Sequence, residues 1–269
     1  MSVATTRLHP QQTRTYYELT PRQNSAYTVV STENKAKELG RFNTFQPALA
    51  LAKDKHGTMI DQEGSIVWEP KFILPESTQI EGVPLIGQFP ELARGCEVVS
   101  LTMLLNFLNI AANKMDLAEE VDKVPFEENG LRGNPYEGFV GNIYTFDKPG
   151  LSAYHGPIAK LASEYAGDER VADLTGVSFD EVLYQVANGN PVWAITTSTY
   201  RIVPEQEWHT WQTDSGEVNI TYKQHSVVII GYDEDYIYVN DPFLKDSKLN
   251  RTHFKESWEQ TGSQAITIF

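Results

Sequence analysis

From Gly95 the chain reads Gly95-Cys96-Glu97-Val98-Val99-Ser100-Leu101-Thr102-Met103-Leu104-Leu105-Asn106-Phe107-Leu108. Apolar side chains at Val98, Val99, Leu101, Met103, Leu104, Leu105, Phe107 and Leu108 cover nearly every face of the helix that this stretch predicts. A helix with so little polar surface belongs at a domain centre, with other elements packed around it. Cys96, the sole cysteine, falls at its start. There the first backbone N–H groups lack intrahelical partners and carry the positive end of the helix dipole, which favours thiolate over thiol. A lone cysteine is by itself more often a small buried hydrophobe. The case for a nucleophile therefore rests on the partners that the rest of the chain supplies.

The chain has 269 residues, enough for two domains at about 100–200 residues each. Its net charge of −14 argues against nucleic acid and anionic membrane surfaces as partners. One cysteine forms no internal disulfide, which leaves the compartment open. No stretch approaches the about 20 apolar residues of a membrane span, so membrane insertion is not expected. Residues 1–14 read as a polar tail with no apolar signal core. The expected location is the cell envelope or the secreted fraction if a signal has been removed, and otherwise the cytoplasm.

Residues 15–70 have the pattern of a small, strand-rich α+β accessory module. Strands are expected over residues 16–19 and 26–31, followed by a polar link. A helix comes next over Phe45–Lys55, with Pro47 early and Gly57 just past its end, and then a hairpin made by residues 59–60 and 65–69. The aromatics Tyr16, Tyr17, Tyr27, Phe42, Phe45 and Trp68 read mainly as core. With no histidine cluster, glycine loop or cysteine, the module suggests at most a binding role, towards a cell-envelope partner. Residues 71–82, with Pro75 and Gly82, read as a linker.

The second domain spans 83–269. After the Cys96 helix, Asp116 can cap a short helix over residues 117–121. A glycine-rich stretch over residues 125–150 then forms a candidate cleft wall. Helices follow over residues 157–165 and Phe179–Ala187, the latter opened by the Ser178/Glu181 capping box. Strands are expected over residues 191–196, 218–222, 225–232, 236–242 and 265–269. Helices followed by a meander of strands define an α+β domain. No Gly-x-Gly-x-x-Gly or Walker pattern is present, and no histidine spacing suits zinc, so no cofactor or metal is expected.

A thiolate needs a histidine partner, and that imidazole needs an orienter. His9 lies in the tail, His56 beside a turn, His155 and His209 on expected loops, and His253 in a polar region near the end. His225 opens an apolar strand, which places a side chain more rigidly. The next strand runs back to Asn240-Asp241-Pro242, so Asp241 can return beside His225 and favour the imidazolium. Asn240 is the alternative orienter, since alternation along a strand turns only one of the two towards the site. Gln88 can donate its amide N–H to an oxyanion alongside the Cys96 backbone N–H.

Gln88, Gly95-Cys96-Glu97 opening an apolar helix, His225-Ser226-Val227-Val228 at a strand start and Tyr238-Val239-Asn240-Asp241-Pro242 at the end of the next occur in a telling order. From about residue 83 onward this pattern resembles the papain-fold cysteine peptidases related to bacteriocin-processing leader peptidases. The stretches Gly133-Asn134-Pro135, Gly138-Phe139-Val140-Gly141-Asn142 and Tyr154-His155-Gly156-Pro157 resemble a free-standing branch of that group from Gram-positive bacteria. The resemblance implies a papain-like fold, with the Cys-bearing helix packed on an antiparallel sheet. It also implies thiol-dependent cleavage of amide bonds in peptides or exposed protein segments. Cys96 and His225 would form an ion pair within about 3–4 Å, with Asp241 behind the imidazole and Gln88 on the oxyanion. Glu97 stands where papain-like enzymes often carry a small residue. Two other readings keep the fold: a cell-wall amidase or other Cys-dependent acyl-transfer enzyme, and an inactive surface-binding or scaffold protein.

Overall fold

A computed structural model describes residues 25–245 and 247–269. The expected strand over residues 16–19 and the polar tail lie outside the described residues. The chain divides into two compact units, the first containing residues 25–43 and 47–71, the second residues 44–46 and everything from residue 72.

In the first unit, β1 (Tyr27–Ser31), β2 (Glu38–Phe42), β3 (Gly57–Ile60) and β4 (Ile66–Trp68) form an antiparallel sheet in the order β2-β1-β3-β4. Helix α1 (Phe45–Lys55) connects β2 to β3 and buries Ala48 and Ala52, one helical turn apart. The expected polar link before α1 is in fact strand β2. As an edge strand with one partner it has no fully buried residue, so its sequence lacks the strong alternation that marks half-buried strands.

The second unit opens with β5 (Thr78–Gln79), which pairs with a central strand, while Phe72 packs on Tyr184 at 4.7 Å between ring centroids. Part of the segment read as a linker is thus laid on the main sheet. Two paired residues are too few to leave a periodic trace. Helix α2 (Cys96–Phe107) is buried without interruption from Cys96 to Leu105. Helix α3 (Lys114–Glu120) begins earlier than expected, because Asn113, rather than Asp116, caps it: the Asn113 side chain accepts from the Met115 N–H at 2.8 Å. The glycine-rich stretch and the two residues before it form two small ladders, β6 (Lys123–Val124) with β9 (Phe139–Val140) and β7 (Glu127–Glu128) with β8 (Leu131–Arg132).

Next come α4 (His155–Ala166), β10 (Val171–Asp173) and α5 (Phe179–Ala187), the last with both bonds of the capping box formed. The remaining elements are β11 (Val192–Thr197), β12 (Trp208–Thr213), β13 (Gly216–Thr221), β14 (Gln224–Tyr232), β15 (Tyr236–Asn240), β16 (Lys248–Asn250), α6 (Arg251–Gln260) and β17 (Ala265–Ile268). The main sheet has the order β10-β17-β11-β14-β15-β16, with β5 on β14, and every pairing is antiparallel. Strands β12 and β13 form a separate hairpin.

Helix α2 lies against β14 and β11 on one side and α3 and α4 on the other. Its Val98, Val99, Leu101 and Leu105 join Trp193, Ile195 and Val228 of the sheet in one apolar core. The absence of a polar face has its explanation here: both sides of the helix are covered. Helix α6 was not expected. Its amphipathic pair Phe254 and Trp258, both buried at i,i+4 spacing, is embedded in polar sequence. His155 opens α4 and His209 lies in β12 rather than on loops. Among the described residues no helix is long and apolar enough to cross a membrane, and no group of three or more His, Cys, Asp or Glu side chains could hold a metal ion.

Candidate active site

Cys96 is the first residue of α2, and Gly95 forms the N-cap without a side chain to satisfy the helix end. A Cβ on Gly95 would lie 2.6 Å from the Cβ of the fully buried Leu92, so the turn into α2 admits only glycine there. The first turn is pinned to the sheet by the Trp193 indole N–H, which donates to the Glu97 carbonyl at 3.0 Å. Arg94 ties the glycine-rich stretch to this loop: its guanidinium donates to the carbonyls of Asn142, Thr145 and Lys148 at 3.3, 2.6 and 3.3 Å.

His225 is fully buried near the start of β14, and Asp241 follows the end of β15, the neighbouring strand. Their side chains meet, with His225 Nε2 2.7 Å from Asp241 Oδ1. Asn240 faces elsewhere: its amide donates to the carbonyls of Val83 and Pro84 at 3.0 and 3.1 Å. Burial alone would raise the Asp241 carboxyl, but hydrogen bonds from His225, the Phe243 N–H and the Tyr200 hydroxyl hold it below the ordinary carboxylate range. An ionised carboxylate only accepts, so His225 Nε2 carries the proton and Nδ1 presents a bare lone pair. That Nδ1 is buried and has no hydrogen-bond partner among the described residues. Burial holds the imidazole below its usual pKa, against the pull of Asp241.

His225 Nδ1, without a partner among the described residues, makes no hydrogen bond to the Cys96 sulfur. The Cys96 thiol donates to Glu97 Oε2 at 3.4 Å, while the backbone N–H of Ser226, the residue after His225, favours its ionised form. Burial and then the Glu97 carboxylate push the thiol well above its ordinary pKa. These effects outweigh the helix N-terminus, which on sequence grounds was expected to favour thiolate. Gln88 is buried on the loop before the helix, and its backbone N–H donates to the Pro242 carbonyl at 2.9 Å. This bond ties the Gln88 loop to the turn after Asp241. The Gln88 side-chain amide N–H groups donate to Leu92 and Ala93 carbonyls, both at 3.2 Å, while Oε1 has no partner among the described residues.

Three aromatic residues complete the surroundings, and sequence reading missed them. Phe243 stacks on the His225 ring at 3.9 Å and 12°, Phe89 stacks on Phe243 at 5.8 Å, and Tyr200 meets His225 edge-on at 6.1 Å while bonding Asp241. Phe243 stood two places after Asp241 and was open to notice. Tyr200 reaches the site from the segment after β11, and no local pattern marks it.

A cysteine-bearing helix is buried against an antiparallel sheet, with a histidine and an aspartate paired where adjacent strands end, the fold that the sequence resemblance implies. The chain belongs to the Peptidase_C39 like family, whose model matches residues 80–266. It is 47% identical over 181 residues to YvpB, an uncharacterized protein of Bacillus subtilis (strain 168), covering 66% of this chain and 70% of that one. A protein from Bacillus anthracis described as a C39-like peptidase has a solved structure that is 48% identical and superposes with a TM-score of 0.70, covering 72% of this chain and 98% of the other. Family and neighbour support a cysteine peptidase in general terms.

Proposed function

We propose that this protein hydrolyses amide bonds in peptides or exposed protein segments, with Cys96 as nucleophile, His225 as base and Asp241 as orienter. The observation that carries the reading is the buried His225–Asp241 bond at 2.7 Å, which leaves a bare Nδ1 on the residue next to Ser226, whose backbone N–H favours the Cys96 thiolate. As the sulfur attacks the substrate carbonyl carbon, its proton passes to His225 Nδ1. The oxyanion forms beside the Cys96 backbone N–H at the helix start. Gln88 serves as second donor by turning one N–H from its long bonds to the Leu92 and Ala93 carbonyls. The C–N bond then breaks, the amine leaves with the proton from the imidazolium, and water hydrolyses the remaining thioester by the reverse proton path. In the resting state the thiol is bonded to Glu97 and His225 Nδ1 has no partner among the described residues, so the proton reaches the imidazole only once the sulfur turns to it.

The test is digestion of a diverse peptide library beside purified peptidoglycan by the protein and its Cys96→Ala and His225→Ala variants. Peptide cleavage lost in both variants is the expected result. Cleavage of muropeptides alone would replace the peptidase by a cell-wall amidase. No Cys96-dependent cleavage of either substrate would leave the fold as a scaffold.

A further inference from the structure

Glu97 is the buried ionisable group that the proposed reaction does not use. Its side chain turns back towards the residue before it, and its surroundings are unusually complete. Oε2 accepts the Cys96 thiol at 3.4 Å and Oε1 accepts the Gln224 side-chain amide at 3.3 Å, while the Ala153 backbone N–H favours the ionised carboxyl. Glu97 is 1% exposed. Two of these contacts reach the reacting pair: one is with Cys96 itself, the other with Gln224, which immediately precedes His225. A carboxyl so placed competes with His225 for the same thiol proton.

We propose that Glu97 is a positioning residue: ionised, it holds the Cys96 thiol by its proton and turns it from His225, and protonated, it releases the sulfur to the imidazole. The inference rests on the cysteine-peptidase reading and adds to it a proton switch beside the nucleophile. The groups that face Glu97 let it act in this way. From α2 there is Cys96. From β14 there are the neutral Gln224 amide and the neighbouring His225, itself set by Asp241 and Lys245. From the segment leading into α4 there are the Ala153 N–H and Tyr154, whose hydroxyl is held neutral by burial. From β11 comes the Trp193 indole, spent on the Glu97 carbonyl. Among these contacts no lysine or arginine neutralises the carboxylate.

Burial raises the Glu97 carboxyl to about 7, within the range where a small environmental change alters its charge. Proton counting gives the direction. The held state contains a thiol, a neutral imidazole and a carboxylate. The released state contains a thiolate, an imidazolium and a carboxylic acid, which is one proton more. Acidification through neutrality therefore favours the released, reactive pair, and the carboxylic acid can then donate to the thiolate. Above neutrality the carboxylate opposes thiolate formation twice, by charge and by accepting the thiol.

The test is the rate of Cys96 alkylation by iodoacetamide from pH 5.5 to 9, read by intact mass, in the full-length protein, Glu97→Gln and His225→Ala. Glutamine keeps shape and hydrogen-bonding reach, and thermal melting checks the fold of each variant. The expected result is that Glu97→Gln reacts about tenfold faster than the parent at pH 8, one unit of thiol acidity, and that the ratio shrinks towards one at pH 5.5. A ratio independent of pH, or a variant slower throughout, overturns the switch. If His225→Ala leaves alkylation unchanged at every pH, the peptidase reading fails. If His225→Ala slows it while Glu97→Gln tracks the parent, only the role of Glu97 fails.

Discussion

The Tyr200 hydroxyl donates to Asp241 Oδ2 at 2.8 Å, the carboxylate oxygen opposite the one that meets His225. With the Phe243 N–H on Oδ1 and the Lys245 N–H on Oδ2, each oxygen of Asp241 has two donors. A carboxylate satisfied in this way cannot rotate, and the imidazole it holds cannot rotate either. Tyr200 itself sits at a φ of 55°, a left-handed conformation that costs a bulky residue about 1 kcal/mol or more. The surrounding contacts must therefore hold it there. Tyr200→Phe keeps the ring and removes the donor. We expect a loss of about 1.5–3 kcal/mol in unfolding free energy, the range for a hydrogen bond to a charged group, and a fall in kcat with little change in KM. Denaturant titration and steady-state kinetics check both, and unchanged kcat would mean that the backbone donors alone fix Asp241.

Acid should unfold the protein through this same pair. Asp241 titrates below its ordinary range, so the stability it contributes is complete above the unfolded carboxylate value of about 3.9 and is lost as pH falls through the lower folded value. His225 acts in the same direction from higher pH. Burial holds it neutral, so the unfolded chain takes up a proton first and stability falls once the pH drops below about 6.5. Asp241→Asn should therefore be clearly less stable than the parent at pH 7, with the gap closing as pH falls through the lowered folded value. Urea midpoints at half-unit pH steps measure the difference, and a constant gap would show that ionisation of Asp241 contributes nothing.

Glu97 predicts the opposite slope. Its folded pKa is raised to about 7 by burial, so its contribution is fully present below the unfolded value of about 4.3 and is lost as pH rises through 7. The size is on the order of 4 kcal/mol, from the gap between the two values at about 1.4 kcal/mol per unit. Glu97→Gln carries no such penalty, so its stability relative to the parent should climb between pH 4.5 and 7 and level off above. Melting temperatures across that window check this independently of any reaction.

Much of this arrangement was legible because its signals are local. The all-round apolar run places α2 in the core, the Ser178/Glu181 box marks the start of α5, and the apolar strand opened by His225 and its return to Asp241 are adjacent in sequence. What escaped depends on long-range packing. Strand β2 is an edge with weak alternation, and β5 is two residues long. Tyr200 is 41 residues from the carboxylate it binds. The state of Cys96 was misjudged for the same reason. The helix N-terminus is visible in sequence, but the burial and the turned-back Glu97 side chain that reverse its effect exist only in the folded chain.

The ring of Phe243 offers a way to separate shielding from orientation. It lies nearly parallel to the His225 imidazole at 3.9 Å, with Phe89 stacked behind it at 5.8 Å. Its backbone N–H, meanwhile, bonds Asp241 Oδ1 at 2.8 Å. Phe243→Ala removes the ring and keeps the N–H, so Asp241 stays in place while water reaches the face of the imidazole. Desolvation is the leading cause of the lowered His225 pKa, so uncovering the ring should raise it towards the ordinary value of about 6.5. Following the His225 ring protons by NMR across pH 4–8 reads the shift directly, and the acid limb of the kcat profile should move the same way. Phe89→Ala, one layer further out, should shift it less. If the His225 titration in Phe243→Ala overlays that of the parent, the packed core of α2 and β14, and not the aromatic stack, keeps the imidazole dry.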